Sequence, residues 1–88
     1  MKAVITVTAK DAKGIIAKVS AKVSEYDANI IDISQSVVGE YFAMIMLVEF
    51  DAGADFGAFV DAMRVLGEQN GLIIQAMHED IFNSMHKI

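Results

Sequence analysis

The sequence predicts an α+β fold in which one four-stranded antiparallel sheet carries two helices on a single face. Three observations predict it. Strand-like blocks rich in Val, Ile and Thr recur along the chain, and apolar stripes at three- and four-residue steps appear twice between them. The blocks interleave in the order β-α-β-β-α-β. No proline and no low-complexity run interrupts the 88 residues, so residues 1–88 are read as one domain.

Ala3–Thr8 suits a pleated strand. Within "KDAKGIIAKVS", Lys10–Ser20, the period changes, and Gly14 sits at the change. Ile16, Val19, Val23 and Tyr26 then recur at helical spacing, with Lys18, Lys22 and Glu25 between them. Asp27–Asn29 reads as the turn that ends this helix. Asn29–Val38 returns to β composition, "VGEY" around Gly39 is a tight reversal, and Tyr41–Phe50 is the next strand. "DAGAD" (Asp51–Asp55) is a loop, and its Asp55 suits the N-cap of a second helix. That helix carries the stripe Phe56, Phe59, Val60, Met63 and Leu66 and stops at Asn70–Gly71. Leu72–Met77 is the fourth strand. The short tail, about residues 79–88, is open to helix through Ile81, Phe82 and Met85. Two β-α-β halves wrapped into one sheet, with right-handed crossovers, make the ferredoxin-like βαββαβ sandwich.

The chain carries more apolar material than one thin core needs. Hydrophobic residues make up 55% of it, against an ordinary share of about 45–50%. In Tyr41–Phe50 one face holds Phe42, Met44, Met46, Val48 and Phe50, and the other holds Tyr41, Ala43, Ile45 and Leu47 before Glu49. A strand with one wet face alternates apolar with polar residues. A doubly apolar strand therefore predicts a homodimer. Whether two copies pair face to face or edge to edge is open at this level.

Composition excludes several functions. Without cysteine there are no disulfides, thiolate metal sites or thiol catalysis. A net charge of −5 opposes nucleic-acid binding, which needs a basic footprint. The apolar run Tyr41–Val48 is short of the roughly 20 residues of a membrane helix. "MKAVITVTAKDAKG" carries strand chemistry instead of a signal peptide, so a cytoplasmic protein without membrane association is expected. An anion-holding arginine is missing from the first loop, since the only arginine is Arg64. His78, Glu79, Asp80 and His86 match no metal spacing and read as a strand end and a tail start. No nucleophile–base pair emerges, so no catalytic residue, metal or cofactor is assigned.

At "KDAKGIIAKVSAKVSEYDANIIDIS" the sequence resembles the ACT domain, a βαββαβ regulatory module that commonly binds amino acids. The residues that carry the resemblance are Asp11, Gly14, Ile15–Ile16 and Asn29–Ile30. It extends through "DISQSVVGEYFAMIMLV" and "HEDIFNSMHKI", which look like the small free-standing UPF0237 proteins and are similar to glycine-cleavage repressor ACT domains.

The resemblance implies a ligand site of Asp11, Gly14, Ile15, Ile16, Asn29 and Ile30, often built across a subunit interface. Physical chemistry gives it a basis. The first helical turn leaves backbone N–H groups without intrahelical partners, and the helix dipole favours an anion there. Asn29 offers a donor and an acceptor to the two ends of an α-amino acid. Asp11 either caps the helix or attracts an ammonium group. Lys13 stands where the family frequently has proline, which loosens the loop. Gly14 serves equally as a residue of positive φ, and Asn29 as a turn residue. The expected function is a non-enzymatic regulatory homodimer that senses a small amino acid or related carboxylate and signals to a separate, unidentified protein partner. The alternative is a ligand-free dimerisation and assembly module that docks onto such a partner.

Overall fold

The computed structural model describes residues 1–10 and 13–85, so the expectations for Asp11 and His86 lie outside the described residues. The elements are β1 (Lys2–Ala9), α1 (Ile15–Glu25), β2 (Ala28–Val38), β3 (Tyr41–Phe50), α2 (Phe56–Asn70), β4 (Ile73–His78) and α3 (Glu79–Met85). The strand order is β2-β3-β1-β4, with every neighbouring pair antiparallel. This is the predicted ferredoxin-like arrangement, and the tail is helical through Met85.

The core lies between one face of the sheet and the helices α1 and α2. Ala3, Ile5 and Val7 of β1 and Phe42, Met44, Met46, Val48 and Phe50 of β3 meet Ile15, Val19 and Val23 of α1 and Phe59, Met63 and Leu66 of α2. The alternation read along β3 therefore holds. Phe59 is the hub: its ring centroid is 4.9 Å from that of Phe50 and 5.7 Å from that of Tyr26, both edge-on.

The α1 stripe needs a correction. Ile16, expected in the buried row, is 37% exposed, whereas Ile15 is 2% exposed. Adjacent helical residues point about 100° apart, so only one isoleucine can face the sheet. The row Ile15, Val19, Val23 repeats at four-residue steps and aims Ile16 away from the core.

The ends of α2 follow local chemistry. Asp55 Oδ1 accepts the Ala58 N–H at 3.0 Å, the expected N-cap. At the other end Gly71 is left-handed (φ 67°), and the Leu72 N–H donates to the Gly67 carbonyl at 2.9 Å, a Schellman stop. Gly67 also lets α2 approach the chain entering β4, since a Cβ there would stand 2.7 Å from the Leu72 carbonyl oxygen.

β2 is an edge strand hydrogen-bonded only to β3. Every residue from Asn29 to Val38 is exposed. The pairing shifts between Ile30 and Asp32, and Asp32 Oδ1 accepts the Ile33 N–H at 2.9 Å. The shift is a β-bulge, a common feature of unpaired edges.

Candidate functional site

The turn before α1 is built by one backbone conformation. Gly14 has φ 74° and ψ 0°, the left-handed region, and its carbonyl accepts the Lys18 N–H at 3.1 Å to open the helix. A Cβ at Gly14 would meet nothing within 4 Å among the described residues. Glycine is therefore required here by φ and not by crowding. The same observation leaves open space beside the backbone.

No acidic residue lies in the first turn of α1, and among the described residues no side-chain bond caps it. The contrast with α2, whose Asp55 serves this purpose, is direct. The amides of Ile15, Ile16 and Ala17 keep the donor capacity of a helix N-terminus, which suits a carboxylate. Ile15 contributes its amide alone, because its side chain is in the core. Ile16 points outward.

Asn29 is not a turn residue. It lies on β2 opposite Glu49, and the turn before it is made by Asp27, the one described non-glycine residue with positive φ (56°). Ile30 follows on the same exposed edge. Gly14 precedes α1 and Asn29 follows it, so the helix stands between them. Eleven residues at 1.5 Å each separate the two by about 16 Å. A single chain does not bring Gly14 and Asn29 together.

Two surface cavities lie elsewhere, and neither is lined by Gly14 or Asn29. The larger, about 390 Å³, runs between α1 and α2 and includes Lys22, Tyr26, Ala58, Asp61, Ala62 and Gln69 in its lining. Sequence reading missed it. Its signal was Ala58 and Ala62, two small side chains one turn apart on α2. The smaller, about 190 Å³, lies on the sheet face away from α1 and α2, with Thr8, Lys10, Tyr41 and Ile73 around it.

The acidic end of β4 has a structural role. His78 Nδ1 accepts the Asp80 N–H at 3.1 Å at the start of α3. The Asp80 Oδ2 atom, 3.6 Å from Nδ1, is a neighbour beyond hydrogen-bond reach. Among the described residues no group of three His, Cys, Asp or Glu is placed to hold a metal, and no polar or charged side chain is buried. Among the described residues, the chemistry on offer includes a set of backbone donors, an open edge and these shallow cavities.

The family model for the ACT domain matches residues 2–77. A UPF0237 protein of Bifidobacterium longum is 43% identical over 88 residues, covering 99% of this chain and 98% of that protein. An ACT domain protein from Streptococcus pneumoniae superposes with a TM-score of 0.84 at 41% identity, covering 98% of each chain. A candidate glycine cleavage system transcriptional repressor gives a TM-score of 0.72 at 29% identity, over 85% of this chain and 43% of that one.

Proposed function

The chain belongs to the ACT domain family, and from that premise we propose that it is a non-enzymatic regulatory module binding a small amino acid or related carboxylate at a site shared by two copies of the chain. The observation that carries this reading is the left-handed Gly14 at the start of α1, a helix N-terminus that no described side chain caps. The ligand carboxylate binds the amides of Ile15–Ala17, and Asn29 of a second copy takes the other polar end.

The edge β2 supports this geometry. It is exposed from Asn29 to Val38 and, among the described residues, has no partner on one side. A second β2 running antiparallel to it across a two-fold axis starts beside the end of the first. That places Asn29 of the second copy at the end of the sheet where Gly14 lies. Ligand binding then favours the paired state, and a difference in affinity between two states is what a regulatory module needs. The module acts in the cytoplasm. Among the described residues no helix is long and apolar enough to cross a membrane.

A second reading has its own observation. On the sheet face away from α1 and α2, Val38, Tyr41, Ile45 and Ile73 are all exposed, a surface suited to docking a protein partner without any small ligand.

A thermal-shift screen against the common amino acids, run beside sedimentation velocity, separates the readings. A ligand at about 100 times its Kd stabilises the folded state by roughly 2.7 kcal/mol, which raises Tm by about 10 °C or more in a domain this small. A dimer that no amino acid stabilises favours the docking reading. A monomer with no ligand response overturns the shared site.

A further inference from the structure

The larger cavity lies away from the turn before α1. Because β1 and β3 are antiparallel, the helices that follow them run in opposite directions, and the end of α1 meets the start of α2. Ala58 and Ala62, one turn apart, form a low wall on the α2 side of the gap. Tyr26, held edge-on against Phe59, closes the α1 side. The volume, about 390 Å³, is in the range of small-molecule sites.

Two opposite charges line this gap from different helices: Lys22 from α1 and Asp61 from α2. They do not pair with each other. Lys22 Nζ is bonded to Glu25 Oε2 of its own helix at 3.0 Å, and Asp61 has no ion pair or side-chain hydrogen bond among the described residues. An occupant that satisfies the gap presents an anion to Lys22, a cation to Asp61 and an apolar body to Ala58, Ala62 and Tyr26. An α-amino acid carries both charges on one carbon, whereas Lys22 and Asp61 stand on different helices and form no ion pair across the groove. One intervening peptide unit supplies the separation, and the Gln69 amide offers that unit both a donor and an acceptor.

We propose that the groove between α1 and α2 binds a small zwitterion with separated charges, an apolar dipeptide, with its carboxylate on Lys22 and its ammonium on Asp61. This site is independent of the turn at Gly14 and is complete within one chain. Glu25 is its built-in competitor. The Lys22–Glu25 pair is a solvent-exposed i,i+3 contact, a weak class of ion pair, so a ligand carboxylate can replace it.

The test is an amide NMR titration of the intact chain with L-alanyl-L-leucine, its N-acetyl derivative and its C-terminal amide. The free dipeptide shifts the amides around Lys22, Tyr26, Ala58 and Gln69, and each blocked form binds about tenfold more weakly. Asp61→Asn weakens binding by about as much. Glu25→Gln, which releases Lys22, tightens it. These residues are exposed, and unchanged thermal unfolding of the variants confirms that their fold is intact. Equal binding of the blocked dipeptides, or no shift at millimolar concentration, overturns the groove. Shifts confined to Gly14–Ala17 and Asn29 also overturn it, while supporting the shared site at the turn.

Discussion

Gly14 and Asn29 stand at opposite ends of α1, with about 16 Å of helix between them. Both belong to the amino-acid site implied by the ACT resemblance, so the proposed site takes Gly14 from one copy and Asn29 from another.

Mixing two defective variants tests this arrangement. Gly14→Val homodimers lack the turn, and Asn29→Ala homodimers lack its polar partner, so neither gives a full thermal shift with the ligand. After subunit exchange a heterodimer carries one site with both residues intact. An equal mixture regains about a quarter of the wild-type binding capacity, as random two-fold pairing requires. A site formed within one chain regains nothing on mixing, and calorimetric stoichiometry distinguishes the two outcomes.

Substitutions at Gly14 separate the turn from the ligand. A Cβ there meets nothing within 4 Å among the described residues, so the cost of alanine is one of backbone conformation. Gly14→Ala loses about 1 kcal/mol of stability, and Gly14→Asn loses less because asparagine tolerates the left-handed region. Urea unfolding measures the difference. If Gly14→Asn retains stability yet loses ligand binding, the open space beside the backbone is used by the ligand.

Gly67 and Gly57, both on α2, respond in opposite directions to alanine. At Gly67 a Cβ falls 2.7 Å from the Leu72 carbonyl oxygen, a backbone atom that cannot move aside cheaply. Gly67→Ala therefore costs about 2 kcal/mol. At Gly57 the nearest atom is Asp55 Oδ1 at 3.6 Å, an ordinary contact. There the better helix propensity of alanine stabilises by about 0.5 kcal/mol. Paired urea curves give both signs, and destabilisation at Gly57 would show that the Asp55 cap needs the glycine.

Much of this was legible in the sequence because period and punctuation agree. The alternation in Tyr41–Phe50, the cap at Asp55 and the stop at Gly71 each appear where local chemistry puts them. The phase of α1 was not legible, because Ile15 and Ile16 are both apolar and only the entry through Gly14 decides which turns inward. The separation of Gly14 from Asn29 was implicit in the predicted topology: a β-α-β crossover places the two ends of its helix at opposite ends of the sheet, in keeping with a site often built across a subunit interface. The groove at Lys22 and Asp61 was invisible because its walls come from different helices.

The edge of β2 gives the last prediction. Val37 and Ile33 pair in register with Phe42 and Met46 on the face that carries the helices, yet their β3 partners are buried and they are not. Val37 is 69% exposed. The core thus runs to the edge of the sheet without being covered there, and pairing with a second β2 extends both the sheet and the apolar layer. Val37→Lys places a charge in that layer and is expected to convert the proposed β2–β2 dimer to monomer, with a stability change within about 0.5 kcal/mol for the monomer because the position is exposed. Ile45→Lys, on the opposite face of β3, leaves the dimer intact. Sedimentation velocity on the two variants decides the geometry. Dissociation by Ile45→Lys with Val37→Lys still dimeric would mean that two copies pack through the faces away from their helices. Gly14 and Asn29 would then stay apart even in the assembly.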